Sequence, residues 1–174
     1  MRKITVEMAC SINGLIATED GNEDFLSERG WEIMLEFLKD YDVLIWGRKT
    51  WNNILAWGQE YLQDLKNINI IILSSVKTTT NELPNVVYCN SVETCLEKCK
   101  ELNYEKIFIS GGATVNNVFM EKGIVDNIIL NYNPFLLNKG IPLFIGNYFE
   151  NKLKLEKIVK EKDDIVQVHY TVIK

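Results

Sequence analysis

Three stretches of this chain put glycines, hydroxyls or a guanidinium where a buried strand ends, which is chemistry suited to phosphate. The longest, IFISGGATVNNVFM over Ile107–Met120, runs Ile107, Phe108 and Ile109 into Gly111 and Gly112, then into a helical stripe of Val115, Val118 and Phe119. Glycines remove the Cβ atoms that keep a ligand off the backbone. Amides opening a helix, aided by its macrodipole, then hold a pyrophosphate without a basic side chain. A second junction, LIWGRKTW over 44–51, ends a strand at Gly47 and opens a helix with Arg48, Lys49 and Thr50, adding a guanidinium able to grip phosphate bidentately. A third, IIILSS over 70–75, ends in Ser74 and Ser75, with Lys77 nearby. Each junction alone reads more readily as an ordinary tight connection. Three of them in one α/β sheet fit the rule that ligands bind outside the carboxyl ends of the strands, and the ligand reading then leads.

An elongated ligand with phosphates at two places satisfies this distribution, and NADPH, a dinucleotide with a 2′-phosphate, is the natural candidate. The common dinucleotide fingerprint is absent: there is no GxGxxG and no acid placed about 20 residues on for a ribose hydroxyl. Arg48, Ser74 and Ser75 are instead expected to take the 2′-phosphate.

The elements that must position these junctions follow from periodicity. Strands are predicted near 3–10, 42–46, 69–74, 86–88, 106–110, 126–134, 153–160 and 165–173, and helices near 28–39, 49–55, 92–102 and 114–120. Continuous apolar runs such as VLIW and NIIIL suit central parallel strands covered on both faces. The last two strands, joined by the charged turn Glu161–Asp164, read as an antiparallel hairpin at the sheet's edge. The fold class is therefore α/β, with flanking helices around a mostly parallel mixed sheet.

At 174 residues and 47% hydrophobic content the chain is expected to form one domain, 1–174, with a full core. No apolar run approaches the roughly 20 residues of a membrane span, and the N-terminus reads as an alternating strand, so a cytoplasmic protein with no membrane partner is expected. Cys10, Cys89, Cys95 and Cys99 fit no zinc spacing, so no metal is expected; Cys95 and Cys99 share a helical face with Val92 and Leu96 as buried thiols. The net charge of −5 offers no basic stripe for nucleic acid. Residues 19–36 carry seven acids against Arg29 alone, either a solvated loop and helix face or an acidic rim beside a pocket. His169 reads as a surface residue, and Trp46, Trp51 and Trp57 as core or subunit-contact aromatics.

With these residues in place the chain resembles the dihydrofolate reductase superfamily, including the reductase domain of the riboflavin pathway. The likeness spans nearly the whole length: MACSINGLIA matches the segment under the nicotinamide, GRKTW the arginine-bearing helix start, LSS the adenosine-phosphate strand end and ISGGATVNNVF the pyrophosphate glycines. PFLLNKGIPLF over 134–144 is similar to the riboflavin-type P-x-L-L-G-x-G-x-P-L-F, with Asn138 at the first glycine. The resemblance implies a dihydrofolate reductase-like sheet of about eight strands. It places Met8, Ala9, Ile16 and Ala17 around the nicotinamide, Gly47, Arg48, Lys49, Thr50, Leu73, Ser74 and Ser75 at the adenosine end, and Gly111, Gly112, Ala113, Thr114 and Val115 around the pyrophosphate.

Departures bear on the substrate. Folate reductases carry a Pro-Trp pair after the nicotinamide loop and a carboxylate early in the next helix. Here the loop reads TEDGNEDFL, Trp31 stands at the carboxylate's position, and Glu32 or Asp24 is left as the catalytic acid. The arginine that holds the folate tail is replaced by Ile68, and Asn13 replaces the aspartate common in the riboflavin branch. The resemblance thus implies an NADPH-dependent oxidoreductase passing hydride to a C=N group of a small heterocycle. Reduction of 5-amino-6-(5-phosphoribosylamino)uracil in riboflavin biosynthesis leads, dihydrofolate reduction or non-catalytic NADPH binding being the alternatives. A homodimer is expected from the riboflavin-type relatives.

Overall fold

The computed structural model describes residues 2–76 and 83–174. Lys77, expected beside the third junction, lies outside them. Fifteen elements follow in chain order: β1 (Lys3–Ser11), β2 (Leu15–Ala17), α1 (Glu28–Leu38), β3 (Val43–Gly47), α2 (Arg48–Trp57), α3 (Gln59–Asp64), β4 (Ile70–Leu73), β5 (Val86–Cys89), α4 (Val92–Glu101), β6 (Lys106–Ile109), α5 (Ala113–Glu121), β7 (Asn127–Asn133), β8 (Ile141–Pro142), β9 (Lys152–Lys160) and β10 (Val166–Ile173).

Eight strands form one sheet in the order β5-β4-β3-β6-β1-β7-β10-β9, parallel throughout until β10, which pairs antiparallel with both β7 and β9. The α/β class and the antiparallel C-terminal edge are as the sequence predicts. Alternation along the strands sends side chains to two helical layers. Val43, Ile45, Ile107, Ile109 and Ile71 pack with Val92, Cys95 and Cys99 of α4 and Phe119 of α5. Leu44, Trp46, Phe108, Ile70 and Ile72 pack with Met34 of α1, Trp51 of α2 and Leu62 of α3. All four cysteines are buried free thiols, and α4 starts at a capping box in which Ser91 and Thr94 satisfy each other's backbone amides.

Two features differ from the periodicity reading. The six-residue α3, QEYLQD, follows α2 directly after Gly58 (φ 136°) and is too short and polar to show a helical stripe. β2 and β8 pair antiparallel in a small second sheet, which docks the 134–144 segment against the loop after β1. Strands of two and three residues are set by that docking and not by any local pattern. Among the described residues no helix is long and apolar enough to cross a membrane.

Candidate active site

Two adjoining cavities, of about 360 Å³ and 750 Å³, open at the carboxyl ends of the central strands and share Ile16, Glu23, Thr50 and Gly112 in their walls. The larger one gathers most of the expected cofactor residues. Ile16, Ala17, Gly47, Arg48, Lys49, Thr50, Leu73, Ser74, Ser75, Gly112, Ala113, Thr114 and Val115 all line it. Met8 and Ala9 line the smaller cavity instead, beside the shared wall.

Gly47 caps α2 and Gly112 caps α5 without any side-chain capping bond, so the first-turn amides of both helices face the larger cavity unclaimed by a cap. The two helix starts are knitted together. The Gly47 amide donates to the Gly111 carbonyl at 2.9 Å, and a Cβ on Gly47 would stand 2.9 Å from Val115 Cγ2, so this approach admits glycine only. Gly111 takes φ +91° with Met8 Sδ 3.0 Å from where its Cβ would be, and its peptide to Gly112 is cis. Gly111 thus lines neither cavity; it shapes the turn that presents Gly112. Ser74 Oγ closes its own turn, donating to the Val76 carbonyl at 2.9 Å, while Ser75 and Lys49 are exposed and Arg48 is half-buried on the cavity wall. Open amides, absent Cβ atoms and one guanidinium are a donor set that fits a phosphorylated dinucleotide.

The smaller cavity is aromatic and acidic. Trp31, Trp46, Trp57 and Tyr61 line it, with Trp31 stacked on Trp46 at 6.4 Å and set edge-on to Tyr61 at 5.0 Å and Trp57 at 6.1 Å between ring centroids. Asp64 accepts from Trp31 Nε1 at 2.9 Å and fixes that ring. Of the three tryptophans expected as packing aromatics, Trp51 is wholly in the core, but Trp46 and Trp57 are also walls of the pocket, an assignment that only the docking of α1 and α3 makes visible.

The acids need correction. Glu32 does not line either cavity: its side chain is largely exposed and accepts from Arg29 at 3.1 Å. Arg29 also binds Glu36 at 2.7 Å and Glu161 at 2.8 Å, tying α1 to the β9–β10 turn. Asp24 stands on the cavity wall, exposed, and accepts from Asn22 Nδ2 at 2.7 Å. The acidic segment therefore divides: Glu19, Asp20 and Glu23 line the larger cavity. Glu23, Asp24 and Glu28 line the smaller cavity, and Glu32 and Glu36 form a helix-face ion cluster.

Two acids of the cavity are withdrawn from solvent, Glu7 fully and Glu23 in part. Glu7 projects from the middle of β1 and is 2% exposed; burial pushes its carboxyl up to about 7, against the lowering effect of hydrogen bonds from Ser110 and Asn131. Burial likewise pushes Glu23 up to about 7, opposed by a hydrogen bond from Asn53. Glu7 had a visible signal, a lone acid in ITVEMAC, a strand otherwise free of charge after Lys3. Its partners had none, since Ser110 follows β6 and Asn131, itself bonded by Gln167 of β10, lies on β7. His169, expected at the surface, is half-buried, its ring 6.0 Å from Phe37 of α1, and burial lowers its affinity for a proton.

Comparison with known proteins places the chain in a family and a fold. The family model of the RibD C-terminal domain matches residues 2–167. The protein YwjB of Bacillus subtilis is 31% identical over 173 residues, covering 97% of each chain. In solved structures, a pyrimidine reductase-like protein from Corynebacterium diphtheriae superposes with a TM-score of 0.80 at 18% identity, covering 99% of this chain and 92% of that one. RibD of Acinetobacter baumannii superposes at 0.80 and 14% identity, with 99% of this chain matching 58% of that longer one. The chain belongs to the RibD C-terminal domain family, a family of reductase domains with the dihydrofolate reductase-like fold.

Proposed function

We propose that this chain is an NADPH-dependent reductase that delivers hydride to the carbon of a C=N bond in a small heterocycle, with 5-amino-6-(5-phosphoribosylamino)uracil and its relatives as the leading substrate class. The supporting observation is the meeting of two unlike cavities at Thr50 and Gly112, one walled by open helix amides and Arg48, the other by aromatic rings and carboxyl groups. When bound, the cofactor supplies hydride from its nicotinamide ring. The first-turn amides of α5 hold pyrophosphate, those of α2 hold the adenosine end, and Arg48 supplies the charge for the 2′-phosphate. Met8, Ala9 and Ile16 present an apolar surface at the junction, where hydride must cross with water excluded. Trp31, Trp46 and Trp57 hold the heterocycle as a planar guest, and a buried carboxyl supplies the proton that the nitrogen gains as the carbon gains hydride.

Among the described residues no lysine, arginine or histidine lines the smaller cavity. A ribosyl phosphate has no partner on these walls, so the phosphate of such a substrate would reach past them. Dimerisation belongs to the same proposal, and the exposed Leu153, Leu155 and Ile158 on edge strand β9 support it; sedimentation of the full chain checks it. The function itself is tested by titrating NADPH and NADH against tryptophan fluorescence, then following NADPH oxidation with the ribosylaminopyrimidine and with dihydrofolate. Tighter NADPH binding and turnover of the ribosylaminopyrimidine are expected. Binding without turnover of either compound discards the substrate assignment and keeps the cofactor site.

A further inference from the structure

Resting on the reductase function proposed above, we propose that Glu7 is the catalytic proton donor and that Asn131 and Gln167 are positioning residues, arranged as a one-way chain of donors that aims and tunes its carboxyl group. Neighbouring strands place the three on one face: Gln167 of β10 sits opposite Asn131 of β7, and Glu7 lies two residues before Ala9, the partner of Asn131 on β1. His169 Nε2 lies 2.6 Å from Gln167 Oε1. Gln167 Nε2 donates to Asn131 Oδ1 at 2.9 Å, Asn131 Nδ2 donates to Glu7 Oε1 at 2.5 Å, and Ser110 Oγ donates to Glu7 Oε2 at 3.1 Å. With each amide nitrogen already donating onward, the Gln167 oxygen can only accept, so the histidine carries its proton on Nε2 and every N–H in the series points toward Glu7.

Such a chain has a defined effect. Donors aimed at both carboxyl oxygens stabilise the ionised form, offsetting the burial that favours the neutral acid. Held between the two, the carboxyl titrates near neutral pH, where a general acid is most effective. The other titratable groups around it are Cys10 on the same strand, Tyr41 after α1, His169 at the far end of the chain, Tyr61 of α3, and Glu23, Asp24 and Glu28 on the cavity wall. Among these carboxyls only Glu7 sits on a strand hydrogen-bonded on both sides, so its position is set by the sheet and not by a loop. In the step itself, hydride adds to the imine carbon, the C=N π pair moves to nitrogen, and that nitrogen takes the Glu7 proton. The carboxylate left behind regains a proton from solvent before the next cycle.

The test uses the full chain with NADPH bound and two imine probes, the ribosylaminopyrimidine and 7,8-dihydropterin. For wild type, kcat/KM is expected to be level at acid pH and to fall above about pH 7, because the protonated carboxyl is the working form. Glu7→Gln, which keeps the shape, is expected to lower kcat at pH 6 by about 100-fold while NADPH affinity stays within about 2-fold, and to erase the falling limb. Asn131→Leu removes a donor to the ionised form and should move the limb up by about one pH unit; Gln167→Leu should move it in the same direction and less. A purely structural role for Asn131 would lower activity at every pH and leave the limb in place. Carbon-13 titration of labelled glutamate carboxyls reads the same shift without turnover: a resonance titrating near pH 7, missing in Glu7→Gln and displaced in Asn131→Leu. Wild-type rate and limb in Glu7→Gln, or a limb abolished by Glu23→Gln instead, would overturn the assignment. Failure of both probes to oxidise NADPH removes the donor role together with the reductase function, while an unmoved resonance in Asn131→Leu removes the positioning role alone.

Discussion

The two cavities are built by different means. The larger offers the amides opening α2 and α5, the missing Cβ atoms of Gly47 and Gly112 and the cations of Arg48 and Lys49, with Glu19, Asp20 and Glu23 also on its wall. The smaller is made of side chains converging from β1, β2, β3, the turn after β6, the loop before α1, and α1, α2 and α3. A backbone cradle suits a ligand that every member of such a family must hold, whereas a wall of side chains is free to change with the substrate. The two cavities should therefore respond to substitution independently, and the following outcomes break or sharpen that contrast.

The largest effect is expected from acidity on the substrate side. Glu7 has its carboxyl raised from 4.5 to about 7 on folding, so the folded chain binds more protons than the unfolded chain between those values. Stability is then fully present at pH 4.5 and below with respect to this group, and falls as pH rises to 7. A loss of about 3 kcal/mol across that window is expected, at ~1.4 kcal/mol per unit. Urea midpoints at pH 5 and pH 7.5 measure it, and Glu7→Gln should remove this share of the difference, leaving the share that Glu23 adds. A cavity acid with no burial cost would give equal slopes in both proteins.

On the cofactor side, Arg48→Ala is expected to weaken NADPH by about 1.5–3 kcal/mol while leaving NADH nearly unchanged, as for the loss of charge-assisted hydrogen bonds. Fluorescence titration with both cofactors decides this, and an equal loss would remove the 2′-phosphate role. Gly111→Ala should cost about 1–2 kcal/mol of stability, because an L-residue would be held at φ +91° with its Cβ 3.0 Å from Met8 Sδ. Thermal unfolding reads the cost; an unchanged midpoint would mean that the turn tolerates a side chain. The smallest effect belongs to Trp57→Ala, about 0.5–1.5 kcal/mol on binding of the heterocycle, with little loss of stability because Trp57 is 41% exposed. NADPH affinity should not move. If it does, the two cavities are not separable.

Legibility followed the same division. GRKTW, LSS and SGGATV are contiguous, and their role is encoded in local geometry: a strand end, a glycine and a helix start read in one direction along the chain. The structure gathers most of these residues on the larger cavity's wall, with Gly111 and the core residue Trp51 set back and Ser110 on the smaller cavity. The eight strands of the main sheet and four of the five helices were legible for the same reason, since burial on two faces or one leaves a period in the sequence. The substrate side has no such contiguity. Glu32 was the natural acid when counted along α1, yet the helix turns it to Arg29 and solvent. Glu7, 25 residues earlier in the chain, reaches the pocket from below.

By itself the sequence determined the α/β class, the order of the main-sheet strands and of four helices, the family resemblance and the junctions expected to hold phosphate, all properties carried by neighbours in the chain. The tertiary structure alone decided which carboxyls are buried, which tryptophans are walls, and that side chains as distant as residues 7, 110, 131 and 167 form one hydrogen-bonded network. The physical reason is burial. A carboxyl's proton affinity and an aromatic ring's partners depend on what surrounds them in space, and a sheet brings together strands that the sequence holds more than 100 residues apart.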